Sequence, residues 1–125
     1  MQAHNGAVTH LHRRDKLAEL LPSLREQLEA QRTFRAEQLA DLIAHAEPDE
    51  SQERRQVDAA LADAARWALH ETEAALARID EGHYGTCEDC AGPIALERLE
   101  VIPHARFCPA CQQKQQADGS ATAQH

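Results

Sequence analysis

Apolar residues along the first half of the chain recur with the period of a helix. Leu17, Leu21, Leu24 and Leu28 alternate steps of four and three, as one face of a coiled coil does. The same frame then meets Gln31, Arg35 and Gln38 before it returns to Leu42, so the stripe weakens in its middle. Phe34, Leu39 and Ile43 offer neighbouring apolar positions, and the seam is expected to shift toward them. Pro22 predicts a helix start or a kink early in this segment. A second segment, from Gln52 to Glu81, places Val57, Leu61, Ala65, Leu69, Thr72, Leu76 and Ile79 along one helical face. Its small residues Ala64, Ala65 and Ala68 admit a closely packed partner, with Trp67 on one flank.

Punctuation supports two helices and one turn. No glycine occurs from Ala7 to Glu81, and Gly82 is a natural C-terminal stop. Between the segments, Glu47-Pro48-Asp49-Glu50-Ser51 is the only turn signal, with Asp49 and Gln52 spaced as a capping box. So short a connection makes the helices antiparallel. At 1.5 Å per residue, the second helix is a rod of about 45 Å.

The chemistry lies after the rod. The only four cysteines stand as Cys87-x2-Cys90 and Cys108-x2-Cys111, separated by seventeen residues, which is the spacing of a tetrahedral zinc site. Four thiolates fill the coordination sphere, so one Zn²⁺ here is structural and has no open position for activating water. Two redox dithiols or two disulfides are the competing readings. The first would need the strand and helix pattern of a thioredoxin, the second a secretory context, and neither is visible. His83 and His104 flank the cysteines and read as surface or packing residues.

The fold class expected is therefore all-α with a small zinc finger: a long antiparallel two-helix coiled coil joined to a C-terminal four-cysteine module. Residues 1–12 are read as a flexible N-terminus and 13–81 as the hairpin, with its tip near 46–51. Residues 82–116 form the finger and a short C-terminal helix, and 117–125 a disordered tail. With two Phe, one Trp and one Tyr in 125 residues, an aromatic core is impossible, and a metal is the usual remedy for so thin a core.

A net charge of −8, made more negative by four thiolates around one Zn²⁺, excludes affinity for a phosphate backbone, and no basic stripe runs along the finger. Direct DNA binding is not expected. Nor is a membrane association, since no run approaches the roughly 20 apolar residues of a span and the N-terminus lacks the core of a signal peptide. A cytoplasmic monomer is expected. The turn is acidic, with Glu47, Asp49, Glu50 and Glu53, and a solvated helix entry that complements the helix dipole is the plain reading of that cluster.

The stretch Gly82-His83-Tyr84-Gly85-Thr86-Cys87-x2-Cys90, followed by Ile94, Arg98-Leu99-Glu100, Pro103 and Cys108-x2-Cys111, closely resembles the zinc-finger signature of the DksA/TraR family. The architecture is similar over roughly residues 15 to 115. The resemblance implies a transcription regulator that binds RNA polymerase and inserts its coiled-coil tip through the secondary channel toward the catalytic magnesium. The candidate contacts at that tip are then Glu47, Asp49 and Glu50.

Three departures from the family pattern are visible. Its best-known members carry D-x-x-D-x-A at the tip, and ungapped counting from Cys87 sets those positions at Ala44, Glu47 and Asp49, so only Glu47 keeps the charge. Basic side chains used by members for guanosine tetraphosphate fall on Ala64, Glu71 and Gln112, which predicts little or no response to that alarmone. The glycine usual after the second cysteine is Ala91, with Gly92 next, and a left-handed Ala91 would cost roughly 1 to 2 kcal/mol. The alternative function is a zinc-stapled coiled-coil adaptor for another protein. An enzyme is the remotest reading, because neither a catalytic triad, a phosphate loop nor an open metal site is recognisable.

Overall fold

The structure, a computed structural model, describes residues 2–46 and 51–123, with side chains placed over 12–46 and 51–117. Four helices follow in order: α1 (Gln2–Ala44), α2 (Gln52–Glu81), α3 (Leu96–Val101) and α4 (Pro109–Ala123). Among the described residues the only β pairing is an isolated antiparallel bridge between Thr86 and Pro93. The first two helices pack along one another as an antiparallel hairpin, and α3 touches α1 at its base.

The ends of α2 have local causes. Ser51 is its N-cap, its Oγ accepting the Arg54 N–H at 3.2 Å, while Asp49 of the expected capping box lies outside the described residues. At the other end Gly82 adopts φ 84°, and its N–H reaches the carbonyls of Arg78 and Ile79. Pro22 neither starts nor ends α1 but lies inside it. Its missing N–H leaves one helical bond unmade, a loss that the flanking leucine packing outweighs. Helix α1 already runs from Gln2, within the segment read as a flexible N-terminus, and α4 continues to Ala123, beyond residue 117 where a tail was read. No proline interrupts either stretch, and Gln112 to Ala117 are all acceptable helix formers.

The core sits at the base of the hairpin. Leu24, Leu28, Ala75 and Leu76 of the two long helices join Tyr84, Cys87, Ile94, Leu99 and Ala105 of the finger in one buried cluster, edged by Leu17, Leu21, Ile79 and Phe107. Burying Leu24 and Leu28 contributes about 2 kcal/mol each. Farther out, the original frame persists, and of the three apolar neighbours only Leu39 is half-buried. Gln31, Arg35, Gln38 and Leu42 remain half-buried in the original frame, whereas Phe34 and Ile43 face solvent at 60% and 58% exposure. On α2 the predicted seam holds at Ala65, Leu69, Thr72, Leu76 and Ile79, but Val57 and Leu61 are exposed. Their neighbours Asp58 and Ala62 are the half-buried residues instead, extending the four-three alternation outward from Ala65. Periodicity therefore overrides side-chain polarity in the outer half.

Candidate metal centre and its supports

Two backbone turns bring the cysteines together. In the first, the Ala91 N–H donates to the Cys87 carbonyl at 3.0 Å and the Cys87 N–H to the Gly92 carbonyl at 2.8 Å, closing a tight knuckle. Ala91 takes φ 62° there, the left-handed conformation that a glycine would adopt without strain. Gly92 has its own constraint, since a Cβ on it would stand 3.3 Å from Cys90 Sγ. The second pair sits at the start of α4, with Cys108 just before Pro109 and its carbonyl accepting the Gln112 N–H at 2.8 Å.

The four sulfurs lie within 4.8 Å of one another, and Cys90 Sγ and Cys108 Sγ are 3.9 Å apart. A tetrahedron with Zn–S bonds of 2.3 Å has sulfur separations of about 3.8 Å. The donor set thus fits zinc. Cys87 and Cys111 are pushed in opposite directions. Burial pushes Cys87 up, but hydrogen bonds from the backbone of Cys90, Cys108 and Asp89 and from the Cys90 side chain outweigh it, bringing it down to about 6. Cys111 moves the other way, raised above the ordinary thiol value first by its hydrogen bond with Cys108 and then by burial. Neighbouring thiolates repel, and a divalent ion removes that conflict.

Residues that the sequence reading missed attach this centre to the hairpin. Arg13, on α1, donates to the backbone carbonyls of Gly85 and Ile94. Beside it Gly85 (φ 88°) brings the finger so near the helix that an added Cβ would meet Leu17 Cδ2 at 3.2 Å. The Tyr84 hydroxyl donates to the Pro103 carbonyl at 2.7 Å, and burial raises its pKa to about 12. On α2, Glu71 receives a forked contact from Arg106, at 2.8 Å from Nε and 2.6 Å from Nη2. Arg106 Nη1 reaches Glu88 at 3.1 Å, and Arg78, buried to 4% exposure, lies 3.7 Å from the same carboxylate. Such long-range pairs leave no spacing in a sequence. The predicted tip residues Glu47, Asp49 and Glu50 lie outside the described residues.

A cleft of about 400 Å³ opens beside this network, lined by Trp67, Glu71, Arg98, His104, Arg106 and Gln112 among others. The Trp67 and His104 rings meet edge to face at 6.3 Å. Burial lowers the pKa of His104, favouring a neutral ring. Glu71 and Gln112, two positions that family resemblance assigns to alarmone contacts, both face the cleft, but Glu71 is acidic and already engaged by Arg106.

Residues 82–117 match the family described as the prokaryotic dksA/traR C4-type zinc finger. A solved structure of transcription factor DksA2 from Pseudomonas aeruginosa is 29% identical, with 85% of this chain and 84% of that one covered at a TM-score of 0.52. Over residues 82–117 this chain carries the zinc finger of that family. A structure described as RNA polymerase binding protein and transcriptional regulator Dks from Chlamydia trachomatis L2 (LGV434) is 24% identical over 74% of this chain and 91% of that chain, with a TM-score of 0.44. A protein of Aquifex aeolicus (strain VF5), described as uncharacterized, is 44% identical over 43 residues, 34% of this chain; the match spans about 30% of that relative's length. With the C4-type finger and the converged sulfurs together, this chain holds one structural zinc. Among its described residues no helix is long and apolar enough to cross a membrane.

Proposed function

We propose that this protein is a cytoplasmic, non-enzymatic transcription regulator that binds RNA polymerase directly and inserts its hairpin tip into the secondary channel to modulate initiation. The observation that carries the reading is the pairing of a narrow two-helix rod with a zinc-stapled base, a shape held in common with the transcription factor DksA2 over most of both chains. A rod of two helices has no interior for a substrate, yet it can carry a charged turn into a narrow opening. The residues proposed to act there are Glu47, Asp49 and Glu50. The protein works as a monomer, without direct contact to DNA, in keeping with its net charge of −8.

Its action is proposed to be independent of guanosine tetraphosphate. The support is electrostatic: where the family places a basic side chain toward the nucleotide, this chain sets the Glu71 carboxylate, already forked by Arg106, beside neutral Gln112 and exposed Ala64. The Arg106 guanidinium is committed to Glu71 and Glu88, and neither Glu71, Gln112 nor Ala64 offers a cation to an anionic ligand. A second reading, a zinc-stapled adaptor that docks its flank on another protein, draws on the exposed Phe34, Ile43 and Val57 of the outer hairpin.

One experiment separates them. The catalytic magnesium of RNA polymerase is replaced by Fe²⁺, and hydroxyl-radical cleavage of the end-labelled protein is mapped. Channel insertion predicts cuts confined to about residues 46–52, unchanged in extent when guanosine tetraphosphate is added. Binding without cleavage overturns insertion, and absence of binding transfers the argument to the adaptor.

A further inference from the structure

We infer that Glu71, Arg78, Glu88 and Arg106 form a brace that holds the two cysteine turns at the spacing zinc requires, so that α2 supplies the outer shell of the metal site. The two turns come from distant parts of the finger and need a common reference. Glu88 follows Cys87 directly, and Arg106 lies two residues before Cys108. Their backbones are joined where the Glu88 N–H donates to the Arg106 carbonyl at 2.9 Å. Their side chains meet again at 3.1 Å through Arg106 Nη1.

Helix α2 fixes both arms at once. Glu71 grips the Nε and Nη2 edge of Arg106, leaving Nη1 for Glu88. Two turns farther along, Arg78 Nη2 donates to the carbonyls of His104 and Ala105, at 3.4 and 3.3 Å, and its Nη1 faces Glu88. The segment leading into the second cysteine pair is thereby held by two α2 side chains, and the first turn is tied to both. Two carboxylates and two guanidiniums balance within the cluster, so removing one member strands a charge in partly buried surroundings. The geometry matters as much as the charge, because only a planar fork serves Glu71 and Glu88 together.

Outer partners of this kind tune metal sites when they restrict how the ligands move, and their loss commonly costs ten- to a hundredfold in affinity. The zinc-loaded full-length protein is mixed with excess chromogenic chelator and the release rate followed, for the natural chain and for Glu71→Gln, Arg106→Lys, the double variant and Arg25→Gln. Arg25 pairs with Asp80 between the same helices at 2.7 Å but away from the cysteines and exposed, so it controls for general loosening of the hairpin. Glu71→Gln and Arg106→Lys are each expected to release zinc roughly tenfold faster, and the double variant no faster than the worse single one. Arg25→Gln should stay within about twofold of the natural rate. Far-UV circular dichroism of the loaded proteins should show equal helix content. Natural release rates in both brace variants would overturn the inference, as would equal acceleration by Arg25→Gln. Should Arg106→Lys fail to fold, Glu71→Gln, which keeps the size of the side chain, decides alone.

Discussion

The inner and outer halves of the hairpin follow one heptad frame but fill it differently. Near the finger the frame carries Leu24 and Leu28, at 2% and 0% exposure, against Leu76 and the neighbouring Ala75. Toward the tip the same frame carries Gln31, Arg35 and Gln38 on one helix, Asp58 and Ala62 on the other, and the large apolar side chains nearby point outward. Arg35 even donates across its own turn to Gln38 at 3.1 Å, spending seam positions on a local polar bond. Geometry keeps the helices together throughout, while the apolar burial that stabilises them is concentrated at the base, where the zinc centre adds to it. A rod built this way is anchored at one end and weakly held at the other.

The strongest way to break that contrast is to remove the anchor. Cys87→Ser withdraws a buried ligand from a site with no spare donor, so zinc content should fall well below one per chain and the finger should unfold, because metal affinity and folding are one free energy in so small a module. Metal analysis together with near-ultraviolet dichroism of Tyr84 checks it. Stoichiometric zinc in this variant would show that the base does not depend on the fourth sulfur.

Next in size is a pair of truncations at equivalent frame positions. Leu28→Ala empties a fully buried site and is expected to cost about 3 kcal/mol, within the range for leucine cavities. Leu42→Ala, half-buried in the outer half, should cost less than about 1 kcal/mol because water already reaches that side chain. Denaturant midpoints of the two variants measure the difference. Equal losses would mean that the outer seam is as well packed as the inner one, and the contrast would disappear.

What the sequence disclosed follows the same division. The leucine stripe from Leu17 to Leu28, the stop at Gly82, the start of α2 at Gln52 and the metal spacing all rest on local, periodic signals, and each stands in the structure. The outer half was misread in part because polarity was allowed to vote on register: Gln31 and Gln38 stay in the frame despite their amides, while Val57 and Leu61, apolar and helically spaced, do not. Pro22, read as a start or a kink, lies inside α1, where tertiary packing carries a helix across a missing bond that local propensity would treat as a boundary. The contacts of Arg13, Glu71, Arg78 and Arg106 left no sequence signal. Their partners lie outside any helical spacing, up to 81 residues away, and ordinary surface charge is the default reading of such side chains.

The smallest expected effect probes whether the polar outer seam is itself the cause of the weak end. Gln38 is half-buried and accepts from Arg35 Nη1, so replacing it by leucine adds apolar area at the seam while removing one hydrogen bond from a guanidinium that water can still reach. Burial of the new side chain would contribute at most about 1.5 kcal/mol at half depth, and the lost bond offsets roughly 0.5 to 1 kcal/mol of that. A net gain below about 1 kcal/mol is therefore expected, too small to move the global midpoint much, but legible as slower amide exchange in residues 35–44 and 55–62 with residues 20–28 unchanged. Uniform slowing along the whole hairpin would instead show one cooperative unit, and the division between anchor and probe would belong to side-chain exposure alone. Confined slowing would make the polar seam a built softness, present in the outer half of the rod and absent where the base must hold its zinc.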